Sequence, residues 1–318
     1  MSGDGKSGES DGRVASLEAG AGEQSNNTRG IVTMLVAMAT FACGDTLMKL
    51  AAETVPTGEL VFMRGVLMFS AALTFAVMTG ALKYLWRLVA PPMLIRAIGD
   101  VGGALAFQGA LARMPFADLV AINQTNPLLV TAASAVFLAE RVGWRRWTAT
   151  GIGFLGVLLI IQPGTSGFTW WSILALVGVF FATMRDVATK RIDSGVPTVL
   201  ILLTSTGVVT LGSLTLLPFE TWFWPEPIIL LKVLGSAAFS LVGHVCIISS
   251  VRMGDLSAVV PFRFSIVIWA MIAGYVIWGT LPDALTILGI TVVISAGLYT
   301  FHRELVLRRR RSLPGHPS

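Results

Sequence analysis

Long stretches of this chain carry no charged side chain at all: 65–82, 119–139, 194–219, 264–282 and 284–302. A bilayer is crossed by about 20 mostly apolar residues in a helix. Inside lipid every backbone N–H and C=O must be satisfied within the protein, so spanning segments are helices or closed barrels. These runs are continuously apolar rather than alternating, which selects helices. The uncharged run 147–184 is twice the needed length and is interrupted by "QPGTSG" at 162–167, so it reads as two helices and a turn. Only 13% of the residues are charged and 54% are hydrophobic. A soluble domain carries about 25% charged residues. The chain reads as an all-α polytopic membrane protein.

Residues 1–29 are rich in Gly, Ser, Asp, Glu and Asn with no periodic apolar face, and read as a disordered cytoplasmic tail rather than a cleaved secretory leader. The two cysteines, Cys43 and Cys246, fall in expected spans and define no disulfide framework. Helices are expected near 30–52, 58–80, 95–113, 117–138, 147–162, 169–190, 197–217, 227–250, 256–279 and 283–302.

Basic residues in short loops set the orientation. Alternate connections carry Lys83, Arg87 and Arg96, then Arg141, Arg145 and Arg146, then Lys190 and Arg191, then Arg252, and the C-terminal segment holds "RRRR" at 308–311. The opposite side has Lys49 and Arg113 near its span ends, then no basic residue in 162–168, 218–226 or 280–283. Both termini are therefore expected in the cytoplasm, which requires an even number of spans, and ten fits. The net charge of +5 mostly reflects this asymmetry. A basic run beside a last span reads as an anchor to anionic lipid, with membrane lipid rather than nucleic acid as its partner. Tryptophans 86, 144, 147, 170, 171, 222 and 224 lie near span ends, the interfacial belt.

The two halves echo each other. "GDTLMK" at 44–49 matches "RDVATK" at 185–190, "RAIG" at 96–99 matches "KVLG" at 232–235, and "ADLVA" at 117–121 matches "GDLSA" at 254–258. Five spans per half is an odd number, so the second half would be inverted. Inverted repeats with a site near the midplane are a transporter architecture. The expected organisation is a tail (1–29), a first five-helix repeat (30–164), a second (168–304) and a basic cytoplasmic tail (305–318).

The segment "ALARMPFADLVAINQTNPLLVTAASAVFLAERVGWRRWTATGIGFLGVLLIIQPG" (110–164) resembles the fourth and fifth helices of EamA-type members of the drug/metabolite transporter superfamily. The segment "PFRFSIVIWAMIAGYVIWGTLPDALTILGITVVISAGLYTFHRE" (261–304) resembles the closing part of a subgroup that includes riboflavin and S-adenosylmethionine uptake proteins. The resemblance implies a carrier in the bacterial inner membrane with a small-molecule substrate, and it makes both repeats EamA-type. The acidic residue usual after the ninth helix stands here as Thr280, whereas its first-half counterpart, Glu140, is present.

Ionisable groups inside spans are functional candidates, because lipid exposure is so costly. Arg263 sits in the apolar "VVPFRFSIVIWAMIAGY" (259–275), two residues after Pro261. Helix four carries "NQTNP", in which Pro127 deprives the Asn123 carbonyl of its usual donor. In the repeat Gln124 aligns with Pro261 and Asn126 with Arg263, so both faces would look into one central cavity. Asn123, Gln124, Asn126 and Arg263 are substrate-binding candidates, with an interhelical hydrogen-bond network as the alternative. Phe262 and Trp269 could stack on a flat ligand or simply pack. Arg64 is a further candidate, for a ligand or for pairing with Asp45. Asp45 could instead satisfy Lys49 at i,i+4. Asp45, Asp100 and His244 could carry coupling protons. Asp100 lies beside the small "GDVGG" and is the expected partner of Arg263 if that arginine is structural. Arg185, Asp186 and Lys190 read as interfacial anchors.

No HExxH, GxSxG, metal-spaced His/Cys cluster or phosphate-binding GxxxxGK[ST] occurs, and no metal or cofactor is expected. The leading reading is an alternating-access carrier for a small polar organic metabolite, with riboflavin first and S-adenosylmethionine or amino-acid-like metabolites behind it. A membrane enzyme, a channel and a non-transporting receptor are the readings from other classes. Homo-oligomerisation is left open.

Overall fold

Helices form where the apolar runs predict them, but two are broken. The structure, a computed structural model, describes residues 5–88, 91–137, 144–164, 169–193, 195–253 and 255–311. Among these no strand occurs. The helices are α1 (Gly5–Ala51), α2 (Thr57–Met78), α3 (Pro91–Arg113), α4 (Phe116–Asn123), α5 (Asn126–Phe137), α6 (Trp144–Ile161), α7 (Trp170–Thr189), α8 (Thr198–Ser213), α9 (Pro227–Met253), α10 (Leu256–Val259), α11 (Ile266–Trp278) and α12 (Ala284–Arg311). A 3₁₀ segment, Val260–Ser265, joins α10 to α11. The backbone is helical from Gly5, within the segment expected to be irregular, while the apolar part of α1 is Asn26–Ala51.

Among the described residues, seven helices are long and apolar enough to cross a membrane: Asn26–Ala51, Thr57–Met78, Trp170–Thr189, Thr198–Leu216, Pro227–Met253, Val260–Trp278 and Ala284–Arg303. The remainder fall short for visible reasons. Helix α3 carries Arg96 and Asp100, α4 and α5 are two short pieces of the expected fourth helix, and Trp147–Ile161 is a short apolar core flanked by Arg145 and Arg146.

The polarity of the molecule is reversed relative to a soluble domain. Phe75, Leu94, Phe137, Leu155, Phe180 and Leu211 are exposed, whereas Gln108, Ser134, Thr183, Ser236, Ser240 and Ser250 are buried. This is the arrangement of a chain whose solvent is hydrocarbon and whose polar groups must find partners inside.

Helix α1 packs on α9, α3 on α7, α2 on α8, α6 on α12 and α4 on α11. Small residues make these approaches close, as they do in membranes. A Cβ at Gly99 would stand 2.8 Å from the Phe181 carbonyl oxygen, and one at Gly102 would stand 2.6 Å from the Phe181 ring. The "GDVGG" cluster is thus the seat of the α3–α7 crossing. In the α6–α12 pair, a Cβ at Gly289 would lie 2.6 Å from the Gly156 carbonyl oxygen, and one at Gly156 would lie 3.0 Å from that of Gly289.

Helix α11 ends at Gly279, whose left-handed φ of 65° turns the chain back. The Thr280 backbone N–H then donates to the Gly274 carbonyl at 3.1 Å, and its hydroxyl donates at 3.3 Å. Thr280, where an acidic residue is usual, therefore closes a helix end. Glu140 and Arg141 lie outside the described residues.

Candidate functional site

Both breaks occur at prolines within apolar helices. Helix α4 stops at Asn123 and α5 starts at Asn126, because Pro127 has no N–H to continue the ladder. The freed polar groups are partly recaptured: the Thr125 hydroxyl donates to the Ile122 carbonyl at 2.7 Å, and the backbone N–H groups of Leu128 and Leu129 turn to the Thr125 carbonyl. The side chains of Asn123 and Gln124 are half-buried and make no hydrogen bond among the described residues. In the second half, Pro261 opens the 3₁₀ segment that carries Arg263. Arg263, Phe262 and Trp269 are all accessible. Arg263 has no ion-pair partner within salt-bridge distance among the described residues, and the carboxylate acting on it electrostatically is Asp186. Asp100, the partner expected from the sequence, is engaged elsewhere.

Asn126 differs from its two neighbours. Its Nδ2 donates to Asp186 Oδ2 at 2.7 Å, and its Oδ1 accepts from the Thr183 hydroxyl at 3.0 Å. Asp186 also accepts from Arg185 Nε at 2.9 Å, and Arg185 reaches Asp100 at 3.9 Å. Asp100 in turn pairs with Arg96 at 3.6 Å and accepts from the Ser205 hydroxyl at 2.6 Å. Arg96 donates to Ser205 at 2.9 Å and to the Thr189 hydroxyl. This network ties α3, α5, α7 and α8 together. Arg185 and Asp186 are therefore parts of an interhelical cluster, and Lys190, which donates to the Ser134 hydroxyl at 2.8 Å, also reaches a helix rather than only the interface. Arg96–Asp100 and Arg185–Asp186 pair within one helix, but Arg185–Asp100 and Asn126–Asp186 cross between helices, which a single helix's sequence does not reveal.

A second polar group lies among α1, α2, α3, α8 and α9. Arg64 pairs with Asp45 at 3.6 Å and donates to the Ser240 hydroxyl at 2.6 Å. The pairing of Asp45 with Lys49 does not form. Lys49 Nζ instead donates to the carbonyls of Leu111 (2.7 Å) and Met114 (2.8 Å) at the end of α3, and it lies 5.3 Å from the Trp278 ring. A cation at a helix C-terminus meets the negative end of the helix dipole. His244 stands beside this group, with Nδ1 2.7 Å from the Ser240 carbonyl oxygen and Phe41 edge-on to its ring. A carbonyl only accepts, so Nδ1 carries the hydrogen, and a neutral ring then presents Nε2 as an acceptor.

Arg64 and His244 line a cavity of about 270 Å³ together with Gln108, Ser205 and Thr206 and apolar walls that include Met48, Met68 and Phe107. Gln108 is only 4% exposed, and its Nε2 has no hydrogen-bond partner. A buried donor left unpaired costs about 1–3 kcal/mol. Sequence reasoning passed over Gln108, because one amide in an apolar helix looks the same whether it is satisfied or not.

A larger cavity of about 510 Å³ opens at the end of the bundle where α4 begins and α11 ends, lined by Asp118, Gln162, Thr169, Ser172, Asp283 and Thr286 among others. Asp283, in the α11–α12 loop, accepts from the Thr286 backbone N–H at 2.8 Å and from Gln162 Nε2 at 2.7 Å. Hydrogen bonds from Thr286 and Gln162 hold its carboxyl below the ordinary carboxylate range. Neither Asp118 nor Asp283 was singled out from the sequence.

Known proteins point the same way as this geometry. Residues 28–162 match the EamA-like transporter family. The pseudopaline exporter CntI of Pseudomonas aeruginosa is 26% identical over 276 residues, covering 84% of this chain and 94% of that protein. The S-adenosylmethionine uptake transporter of Rickettsia prowazekii is 24% identical over 281 residues, 86% and 93% of the two chains. The riboflavin transporter of Vibrio cholerae is 26% identical over 224 residues, 69% and 74% of the two chains. A solved crystal structure, 19% identical, shares the fold with a TM-score of 0.57 over 92% of this chain and 100% of that one. The apolar helices, the polar interior and the match over residues 28–162 make this chain similar to integral membrane transporters of the EamA type, as its relatives are named.

Proposed function

We propose that this protein is an alternating-access carrier for a small polar organic metabolite, built from two inverted five-helix repeats with both termini in the cytoplasm. Ten crossings follow when α4 with α5, and α10 with α11, each count as one broken span. The helix pairs support the inversion. Exchanging first-half and second-half spans turns the α1–α9 pair into α7–α3, and returns α2–α8, α6–α12 and α4–α11 to themselves.

The observation that carries the carrier reading is the pair of breaks at aligned positions. They leave the Asn123 and Gln124 amides without partners among the described residues, and Arg263 accessible and out of salt-bridge range of any described carboxylate. Broken helices with irregular backbone are tolerated inside a membrane where they line a cavity or pack on protein, and such breaks form substrate sites in transporters. Riboflavin is the first substrate choice and S-adenosylmethionine the second, with amino-acid-like metabolites third.

The test is transport of a labelled panel of these compounds by the purified protein in proteoliposomes, run in both directions, since uptake and export both occur among the relatives. Asn123→Ala and Gln124→Ala should lower transport at least about tenfold with normal abundance and folding. Wild-type transport by both variants would remove the central site.

A further inference from the structure

Histidine is the side chain whose charge changes within the physiological pH range, and His244 stands where such a change is felt. It lies on the face of α9 that buries Val233, Ser236, Ala237, Ser240 and Gly243, yet it is itself exposed. What it is exposed to is the cavity of about 270 Å³ that it lines with Arg64. Its Nδ1 is committed to the Ser240 carbonyl oxygen at 2.7 Å, and its Nε2 has no partner among the described residues. The same serine holds Arg64, whose guanidinium donates to the Ser240 hydroxyl at 2.6 Å. Asp45 is close by: it pairs with Arg64 at 3.6 Å, and a Cβ on the adjacent Gly44 would stand 3.3 Å from that hydroxyl oxygen. One buried serine thus gathers a base, a cation and an anion from three helices. The other charges on the neighbouring elements are engaged or distant. Lys49 on α1 is held by the Leu111 and Met114 carbonyls, and Glu59 on α2 by the Phe223 N–H. Helix α10 has no titratable side chain, and Lys232 and Arg252 lie about two turns or more along α9. Across the cavity, Arg96 and Asp100 pair with each other and with Ser205. Of the residues lining the cavity, Arg64 and His244 are the ones able to carry charge. With His244 neutral, Asp45 balances Arg64. With His244 charged, one carboxylate faces two cations.

We infer that His244 is the proton-binding residue that couples transport to a pH gradient. A proton from the more acidic solution adds to the Nε2 lone pair while the cavity is open to that side, and the imidazole becomes an imidazolium with two N–H donors. The same proton leaves Nε2 for the other solution when the cavity opens there, so one N–H bond forms and breaks in each cycle. While it is charged, His244 competes with Arg64 for Asp45. The proton therefore loosens the Arg64–Asp45 pair and turns the guanidinium toward the cavity. Asp45 and Asp100 are both held in ion pairs, whereas Nε2 is free among the described residues, and this selects the histidine as carrier. The inference rests on the carrier reading and deepens it by naming the coupling ion and its site.

The experiment has two arms. In the first, the imidazole nitrogens are titrated by NMR in the purified full chain in nanodiscs, with His302 and His316 replaced by asparagine so that His244 gives the signal. His244 should gain a proton as the pH falls from about 8 to about 5. Asp45→Asn should lower the midpoint and Arg64→Met should raise it, each by at least about half a pH unit, the signs that loss of a neighbouring anion or cation dictates. If one of these two variants does not fold, the other decides. In the second arm, labelled riboflavin and S-adenosylmethionine are offered separately to proteoliposomes with and without a pH gradient, imposed in each direction. A gradient of one pH unit is worth a factor of about ten per proton, and it should change wild-type accumulation of a transported compound at least about threefold. In His244→Asn, which keeps a donor for the Ser240 carbonyl and cannot take the proton, that ratio should fall to about one. A His244 that keeps one charge state across this range, a midpoint indifferent to both neighbours, or a ratio unchanged in His244→Asn overturns the assignment. Wild-type transport indifferent to the gradient also overturns it, and leaves the carrier reading standing. A titration that answers to both neighbours, with neither compound moved across the bilayer, keeps the proton site and counts against the carrier reading.

Discussion

At the scale of single residues, the fate of each buried charge follows from what stands across the nearest helix crossing. Asp45 and Arg64 are 14% and 23% exposed, so little water screens them. Arg64→Met should strand the Asp45 carboxylate and lower stability by about 1.5–3 kcal/mol, the range for hydrogen bonds to charged groups. Adding Asp45→Asn should recover most of that loss, because a buried pair removed together is far less costly than one partner removed alone. Thermal unfolding of the two single variants and the double variant measures the coupling, and strict additivity would mean that the pair is not an energetic unit. The sequence left this pair open beside Asp45–Lys49, and the structure selects Arg64. The Lys49 contacts were not legible in the sequence. Its acceptors are backbone carbonyls on α3, and carbonyls leave no trace in a residue pattern. Asp186 was misread for a related reason: three charges at a helix end look like an interfacial anchor until Asn126 is placed opposite them.

At the scale of elements, the carrier proposal rests on the helix breaks. Pro127→Ala would supply the missing N–H and let α4 and α5 join, a change that stabilises a helix by removing a penalty of about 3 kcal/mol. The expected result is a protein at least as stable as wild type with transport reduced about tenfold or more. Full transport by a folded Pro127→Ala protein would show the break to be incidental. The breaks themselves were legible, because proline's chemistry is local.

The α6 end was not legible. Gln162 adopts a left-handed φ of 49°, a conformation that glycine or asparagine takes more readily. Its amide, however, holds Asp283 at 2.7 Å. Gln162→Gly should therefore relax the backbone while cutting the tie between the α6 end and the α12 start. The pH dependence follows with its sign. The Asp283 carboxyl titrates below its unfolded value, so its contribution is complete above about pH 4 and fades as pH falls through the lower folded value. Stability scans of wild type and Asp283→Asn should differ near neutrality and converge in acid. A constant gap at all pH values would place the effect elsewhere.

At the scale of the whole molecule, the sequence made the membrane class plain because hydrocarbon forbids unpaired backbone, and long uncharged runs are the visible result. Loop arginines and lysines give an expected orientation. The prediction is that single cysteines introduced at 218–226 react with an impermeant reagent from outside intact cells, and that cysteines at residues 145 and 308–311 do not. Cys43 and Cys246 must be replaced first. Termini on opposite faces would abolish the inverted repeat. How the halves meet was beyond the pattern, since hydropathy says that a helix is buried and not by whom.

The Gly156–Gly289 contact sets a limit on how such a molecule can move. Two backbones that touch without side chains between them cannot slide past one another without losing that fit. Under the alternating-access proposal the α6–α12 seam would act as a fulcrum about which the halves tilt, one vestibule widening as the other narrows. A methyl group at Gly289, 2.6 Å from the facing carbonyl, is a wedge driven into that fulcrum. Gly289→Ala should cost about 1–3 kcal/mol, as overpacking does, and should slow turnover more than it weakens substrate affinity. The pivot would feel the wedge, and the distant pocket would not.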